Sequence, residues 1–119
     1  MTGNTIEDRV RSILQDDEED DVQWSKKQIA RWINDRVDEL VGLRSTALYD
    51  TDGSVITITR LNESIDDALA TTLSIADKWA PVIAEGVTAN CYRQQAGNRQ
   101  NATRATEHEA RFRQLAKAL

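Results

Sequence analysis

A single cysteine, a single histidine, a single proline and only six aromatic side chains (three Trp, two Tyr, one Phe) limit what this sequence can be. With Cys91 alone, no intrachain disulfide can form. With His108 as the sole histidine beside it, a His/Cys zinc site lacks about half of its four ligands. A Cys–His nucleophile pair is formally open, but Cys91 shares a helical face with Val87 and fits a small buried hydrophobe better. There is no phosphate-binding glycine loop and no nucleophile elbow, so the expectation is a protein that is not an enzyme and takes no cofactor or metal. No stretch approaches the ~18 apolar residues of a membrane span. The opening MTGNTIEDRV lacks a basic region followed by an apolar run, which predicts a cytosolic start rather than secretion. The glycosylation triplets at Asn62 and Asn101 are then chance matches. The shortage of aromatics leaves the core to Ile, Val, Leu and Ala. That core is thin, so neighbouring subunits are expected to supply part of the burial.

What is present is charge, unevenly spread. The net charge of -5 argues against a generic nucleic-acid binder. Residues 1–23 hold eight acids (Glu7, Asp8, Asp16, Asp17, Glu18, Glu19, Asp20 and Asp21) against Arg9 and Arg11, a net of -6. Residues 91–119 hold six bases (Arg93, Arg99, Arg104, Arg111, Arg113 and Lys117) against Glu107 and Glu109, a net of +4. Ends of opposite sign can pair head to tail between copies or fold against each other. Both readings stay open here.

The length of 119 residues fits one domain, burying roughly two-thirds of its unfolded surface. Ile6, Val10, Ile13 and Leu14 share a helical face and predict a first helix over 5–15, capped by Asn4 or Thr5. The six adjacent acids from Asp16 to Asp21 predict a solvated loop. They fail as an EF-hand, because Asp21 stands where the loop glycine belongs and Trp24 and Ser25 follow. Ser25 with Gln28 forms a capping box, and Trp24 against Ile29 a hydrophobic staple. A second helix over 25–43 follows, its stripe built from Ile29, Trp32 or Ile33, Val37, Leu40 and Val41. Asp52-Gly53 signals a turn, and alternation through Val55, Ile56, Thr57, Ile58 and Thr59 predicts a strand over 54–60. A second strand is expected over 68–75. A third helix begins between Asp77 and Pro81 and runs to about residue 96, with Trp79, Val82, Ile83, Val87, Asn90, Cys91 and Gln94 on one face. Gly97-Asn98 breaks it. A last helix over 100–117 carries a stripe of Ala102, Ala105, His108, Phe112, Leu115 and Leu119. The expected fold is thus mainly α: a small bundle of about four helices with a short β-hairpin insertion between two helical halves. The expected core is Ile13, Trp24, Ile29, Ile33, Val37, Trp79, Ile83 and Val87. Arg93, Arg104 and Arg111 would line one basic stripe if the last two helices were continuous.

Taken in order, these residues resemble the adaptor proteins of tailed-bacteriophage head-to-tail connectors. The N-terminal part of the pattern is VRSILQD, an acidic gap, and a helix start and Trp-Ile-Asn step formed by Trp24, Ser25, Gln28, Ile29, Trp32, Ile33 and Asn34. The C-terminal part is Asp77, Trp79, Tyr92, Arg93, Asn101, Arg104, Ala105, His108 and Phe112. The resemblance covers both ends. It departs in the middle, where relatives carry a longer β-rich insertion and often a proline near Ser45.

The resemblance implies a structural virion protein made in the host bacterial cytoplasm. Its subunits form a homo-oligomeric ring, typically twelvefold, beneath the portal. The ring extends the DNA channel, lets DNA pass transiently and joins head to tail through tail or nozzle proteins, with no membrane involved. An acidic lumen would repel DNA phosphates, which makes Asp16, Asp17, Glu18, Glu19, Asp20 and Asp21 candidates for a channel-facing loop. By location, Phe112, Leu115, Lys117 and Leu119 are candidates for the portal interface. The alternative for that apolar stripe is this chain's own core. The competing function class is a small helical nucleic-acid-binding regulator using the basic C-terminal helices.

Overall fold

The computed structural model describes residues 1–14, 24–49, 52–94 and 99–118. Within them the chain forms four α-helices: α1 (Gly3–Leu14), α2 (Lys26–Leu43), α3 (Ala80–Gln94) and α4 (Arg99–Ala118). Short 3-10 turns stand at Ser45–Leu48, Ala68–Ala70 and Asp77–Trp79. The acidic run Asp16–Asp21, Gly97-Asn98 and Leu119 lie outside the described residues.

The start of α2 follows its sequence signature. Ser25 is the N-cap, and its Oγ accepts the Gln28 amide at 3.1 Å. Trp24 and Ile29 are both buried in one cluster, as a staple requires. At the other half, the turn Asp77–Trp79 runs directly into α3, with Pro81 in the first turn of α3, where its missing N–H costs nothing.

Helix α3 lies at the centre and packs against α1, α2 and, most extensively, α4. Its sequence explains this position. Apolar and small residues occur all round it (Ala80, Val82, Ala84, Gly86, Val87, Ala89), so no side must face water. Its buried Thr88 hydroxyl donates to the Ala84 carbonyl of its own helix at 2.7 Å. Helix α4 is the opposite case, polar except for a narrow stripe of Ala105, His108, Phe112 and Ala116 laid on α3. Trp24, Ile29, Ile33, Val37, Trp79, Ile83 and Val87 all fall in the buried cluster. Ile13 does not. It is half-buried beside Pro81 and Ala84, small neighbours that leave a groove rather than a closed core.

The β-hairpin insertion does not form. Among the described residues there is no strand, only two isolated antiparallel bridges, Thr2–Thr72 and Tyr49–Val55. The Asp52-Gly53 turn is present, with Gly53 at φ +82°. Residues 55–59 do alternate, with Val55, Thr57 and Thr59 exposed and Ile56 and Ile58 half-buried. Their hydrogen bonds, however, go elsewhere. The Thr59 amide donates to Ser74 Oγ at 2.8 Å and the Ile56 amide to the Leu48 carbonyl at 2.7 Å. Over 68–75, Ala68 and Leu69 instead bury themselves in a 3-10 turn against α1 and α2.

The connection from 45 to 79 is fastened to α2 mainly by side chains. Asn34 Nδ2 donates to the Leu61 carbonyl at 2.9 Å while its Oδ1 accepts the Leu61 amide at 2.9 Å, so the amide group satisfies both backbone groups of that residue. Asp38 receives a two-pronged bond from Arg60 at 2.6 and 2.8 Å. Arg31–Glu63 and Lys27–Asp66 extend the row, at 3.3 and 3.4 Å. Positions 27, 31, 34 and 38 recur every three or four residues and share one face of α2.

Phe112 corrects the expectation of a free C-terminal apolar stripe. It is fully buried in the common cluster, and Leu115 is half-buried against the same cluster. Truncation after Arg111 is therefore expected to unfold the protein rather than only detach it from a partner. Phe112→Ala should lower stability by about 3–5 kcal/mol in urea denaturation. A variant melting like the parent would overturn the core role.

Candidate functional site

The inward positions of α2 are Ile29, Ile33, Arg36, Val37 and Leu40, so an arginine occupies a place where an aliphatic residue would be expected. Arg36 is 2% exposed. Burying a guanidinium is costly unless every side is answered. Here Nη1 donates to Glu109 Oε2 of α4 at 2.5 Å and reaches Glu39 Oε2 at 3.4 Å, and Nη2 donates to Asn90 Oδ1 of α3 at 2.6 Å. Its guanidinium lies over the Phe112 ring, 5.0 Å from the centroid. Nε is buried without a partner among the described residues. The stem runs across Gly86 of α3, where an added Cβ would stand 2.5 Å from the arginine Cδ. Glycine there is a requirement of the arginine's path.

Glu109 is shared. It also accepts from Arg93 Nη2 at 3.3 Å. Partial burial pushes its carboxyl pKa up, but the hydrogen bonds and charges of Arg36 and Arg93 outweigh this and hold it below the ordinary 4.5.

Above this network α2 and α3 leave an open cleft of about 380 Å³ lined by Trp32, Asp35, Arg36, Glu39, Asn90, Arg93 and Gln94. Arg36 and Arg93 share Glu109, Arg36 also reaches Glu39, and Asp35 stands exposed near the half-buried indole of Trp32. The lining is charge-balanced, with Asp35 and Glu39 against Arg36 and Arg93.

On the other side of α4, His108 Nδ1 and Glu85 Oε2 of α3 form a close pair, 10% and 16% exposed. Tyr92 stacks on the imidazole with centroids 5.5 Å apart, and Arg104 lies over the Tyr92 ring. Cys91 is fully buried in the core cluster. Among the described residues no three His, Cys, Asp or Glu side chains converge to hold a metal, and no helix is long and apolar enough to cross a membrane. The stripe of Arg93, Arg104 and Arg111 does not form. α3 ends at Gln94 and α4 starts at Arg99, and Arg93 is drawn to Glu109 while Arg104 goes to Tyr92. Of the residues placed at a portal interface, Phe112 is core, Lys117 is exposed, and the Lys117 backbone carbonyl accepts from Arg44. Sequence reasoning missed Arg36, Glu39 and Gly86, and singled out Asn34 without its part in holding Leu61. The available signal was the charged residue at an inward position of the α2 stripe.

Comparison of the chain with family models, with curated proteins and with solved structures gave no match.

Two outcomes are expected. Arg36→Met should cost about 3 kcal/mol, since it strands Glu109, and Gly86→Ala about 2 kcal/mol through overpacking, both by urea denaturation. An unchanged midpoint in either would contradict the hub. Separately, Glu109 has a depressed folded-state pKa, so its stabilisation is fully present above 4.5 and is lost as pH falls through the lower folded value. Stability measured from pH 6 down to pH 3 should fall less steeply in Glu109→Gln. Equal slopes would contradict this assignment.

Proposed function

We propose that this chain is a structural subunit of a tailed-bacteriophage connector, an adaptor that forms a ring beneath the portal, extends the DNA channel and joins head to tail. The observation that carries this reading is where the residues of the resemblance fall in the fold. Ser25 caps α2, and Trp24, Ile29, Ile33, Trp79, Ala105 and Phe112 are buried. Asn34 clamps the connection and Tyr92 stacks on His108. The residues of the resemblance thus fall largely at a helix cap, in the buried cluster and at the Asn34 clamp, which supports the reading. An acidic subunit rich in paired surface charge also suits a lumen through which DNA must slide without sticking. The portal contact assigned to the C-terminal end then rests on Lys117 and Leu119 rather than on Phe112.

The regulator reading has less support, because the bases of α4 do not make one accessible stripe. Arg104 and Arg111 lie on one flank, while Arg113 and Lys117 follow Glu109 on the other.

The test is sedimentation and electron microscopy of the full chain with and without its cognate portal. Free subunits should be monomeric or weakly associated and should form a ring on the portal, each interface joining two different faces. A stable compact dimer with no portal affinity would reject the proposal. Submicromolar, salt-sensitive binding of duplex DNA would favour the regulator instead.

A further inference from the structure

We infer that Asp52-Gly53 is a modification site, at which the chain converts without an enzyme to isoaspartate through a cyclic imide. The inference stands apart from the connector reading, because it rests on the chemistry of one turn.

The turn itself sets up the reaction. Gly53 holds φ +82°, the left-handed region that favours glycine, and a side chain added there would meet open space. Of the five glycines, Gly53 is the one that follows an aspartate or asparagine; the others follow Thr2, Val41, Glu85 and Ala96. The residue that the turn geometry demands therefore also leaves the amide nitrogen after Asp52 uncrowded. That amide makes no hydrogen bond among the described residues, and both residues are exposed. The aspartates of the helices differ on each count. Asp8, Asp35 and Asp38 lie within α1 and α2, where the next amide is committed to a carbonyl four residues back and the next side chain is arginine or glutamate.

The step balances with water alone. The Gly53 nitrogen attacks Cγ of the protonated Asp52 carboxyl. An N–Cγ bond forms, and the nitrogen's proton and the carboxyl hydroxyl leave together as water. Water then opens the five-membered imide. Attack at Cγ restores aspartate. Attack at the main-chain carbonyl breaks the original peptide bond and leaves Gly53 joined through Cγ, with the former carbonyl carbon now a carboxylate. Mass is unchanged, but the backbone is one atom longer. The added atom lies inside the loop that the Tyr49–Val55 bridge closes. Those two side chains are 43% and 70% exposed, so the conversion alters how an apolar pair is presented to solvent.

The experiment is prolonged incubation of the full chain at physiological temperature and neutral pH, followed by trypsin digestion and fragment-ion mapping against an unincubated sample. The peptide from Ser45 to Arg60 contains Asp50 and Asp52 and no asparagine. Isoaspartate should accumulate at position 52, while Asp50, followed by the β-branched Thr51, stays aspartate. The same peptide incubated free supplies the unprotected rate. The folded chain should convert at no less than about a tenth of that rate, since an exposed loop tip opens at little cost. Asp52→Glu, whose imide would need a six-membered ring, should give no product there. A folded chain that stays aspartate while the free peptide converts would overturn the inference. So would a free peptide that does not convert, conversion at Asp50 as fast as at Asp52, or equal yield from Asp52→Glu.

Discussion

The arrangement of α2, α3 and α4 depends on where one positive charge is allowed to sit. Arg36 is enclosed by three helices. Each supplies part of what it needs: Glu39 from its own helix, Asn90 from α3, and Glu109 with the Phe112 ring from α4. A charge in that position fixes geometry more strictly than a methyl group would. An aliphatic side chain tolerates a sliding neighbour, but a guanidinium loses directed bonds when its partners slip. Gly86 marks the close approach of α3 that this path demands, and Glu109 marks the register of α4.

Much of the helical frame was legible. The start of α2 could be read from Ser25, Gln28, Trp24 and Ile29, because caps and staples are local and their chemistry lies within one turn. Illegible were the features that depend on a distant partner. Residues 55–59 have the alternation of a strand, but a strand needs a neighbour, and here side chains of Ser74 and Asn34 take over at its end. Arg36 was not singled out, because nothing nearby in sequence announces Glu109 or Asn90. Phe112 could be assigned to a partner or to the core with equal logic, and only the stripe's contact with α3 decides it. Ile13 failed by a finer margin, at the end of α1 where Pro81 and Ala84 are too small to cover it.

The charge asymmetry of the sequence also changes meaning once folded. A count along the chain opposes an acidic start to a basic end. In three dimensions many bases already have partners: Arg11 with Glu7, Arg31 with Glu63, Arg60 with Asp38 and Arg93 with Glu109. What matters to an approaching molecule is the remainder. Around α4, Arg104 and Arg111 lie on one flank, while Arg113 and Lys117 follow Glu109 on the other.

The Asn34 clamp has a consequence for how the molecule tolerates change. A connection woven into a sheet is bound by its backbone at every second residue, so an insertion shifts the whole ladder. This connection is instead moored at separate points: Arg60 to Asp38 and Leu61 to Asn34, the buried Ala68 and Leu69 on the bundle, and the Leu73 amide on the Met1 carbonyl. Insertions in the exposed run 64–67, between the Leu61 and Ala68 contacts, are expected to leave the helices in place. The strap can therefore diverge in length and shape while the bundle beneath it keeps its dimensions.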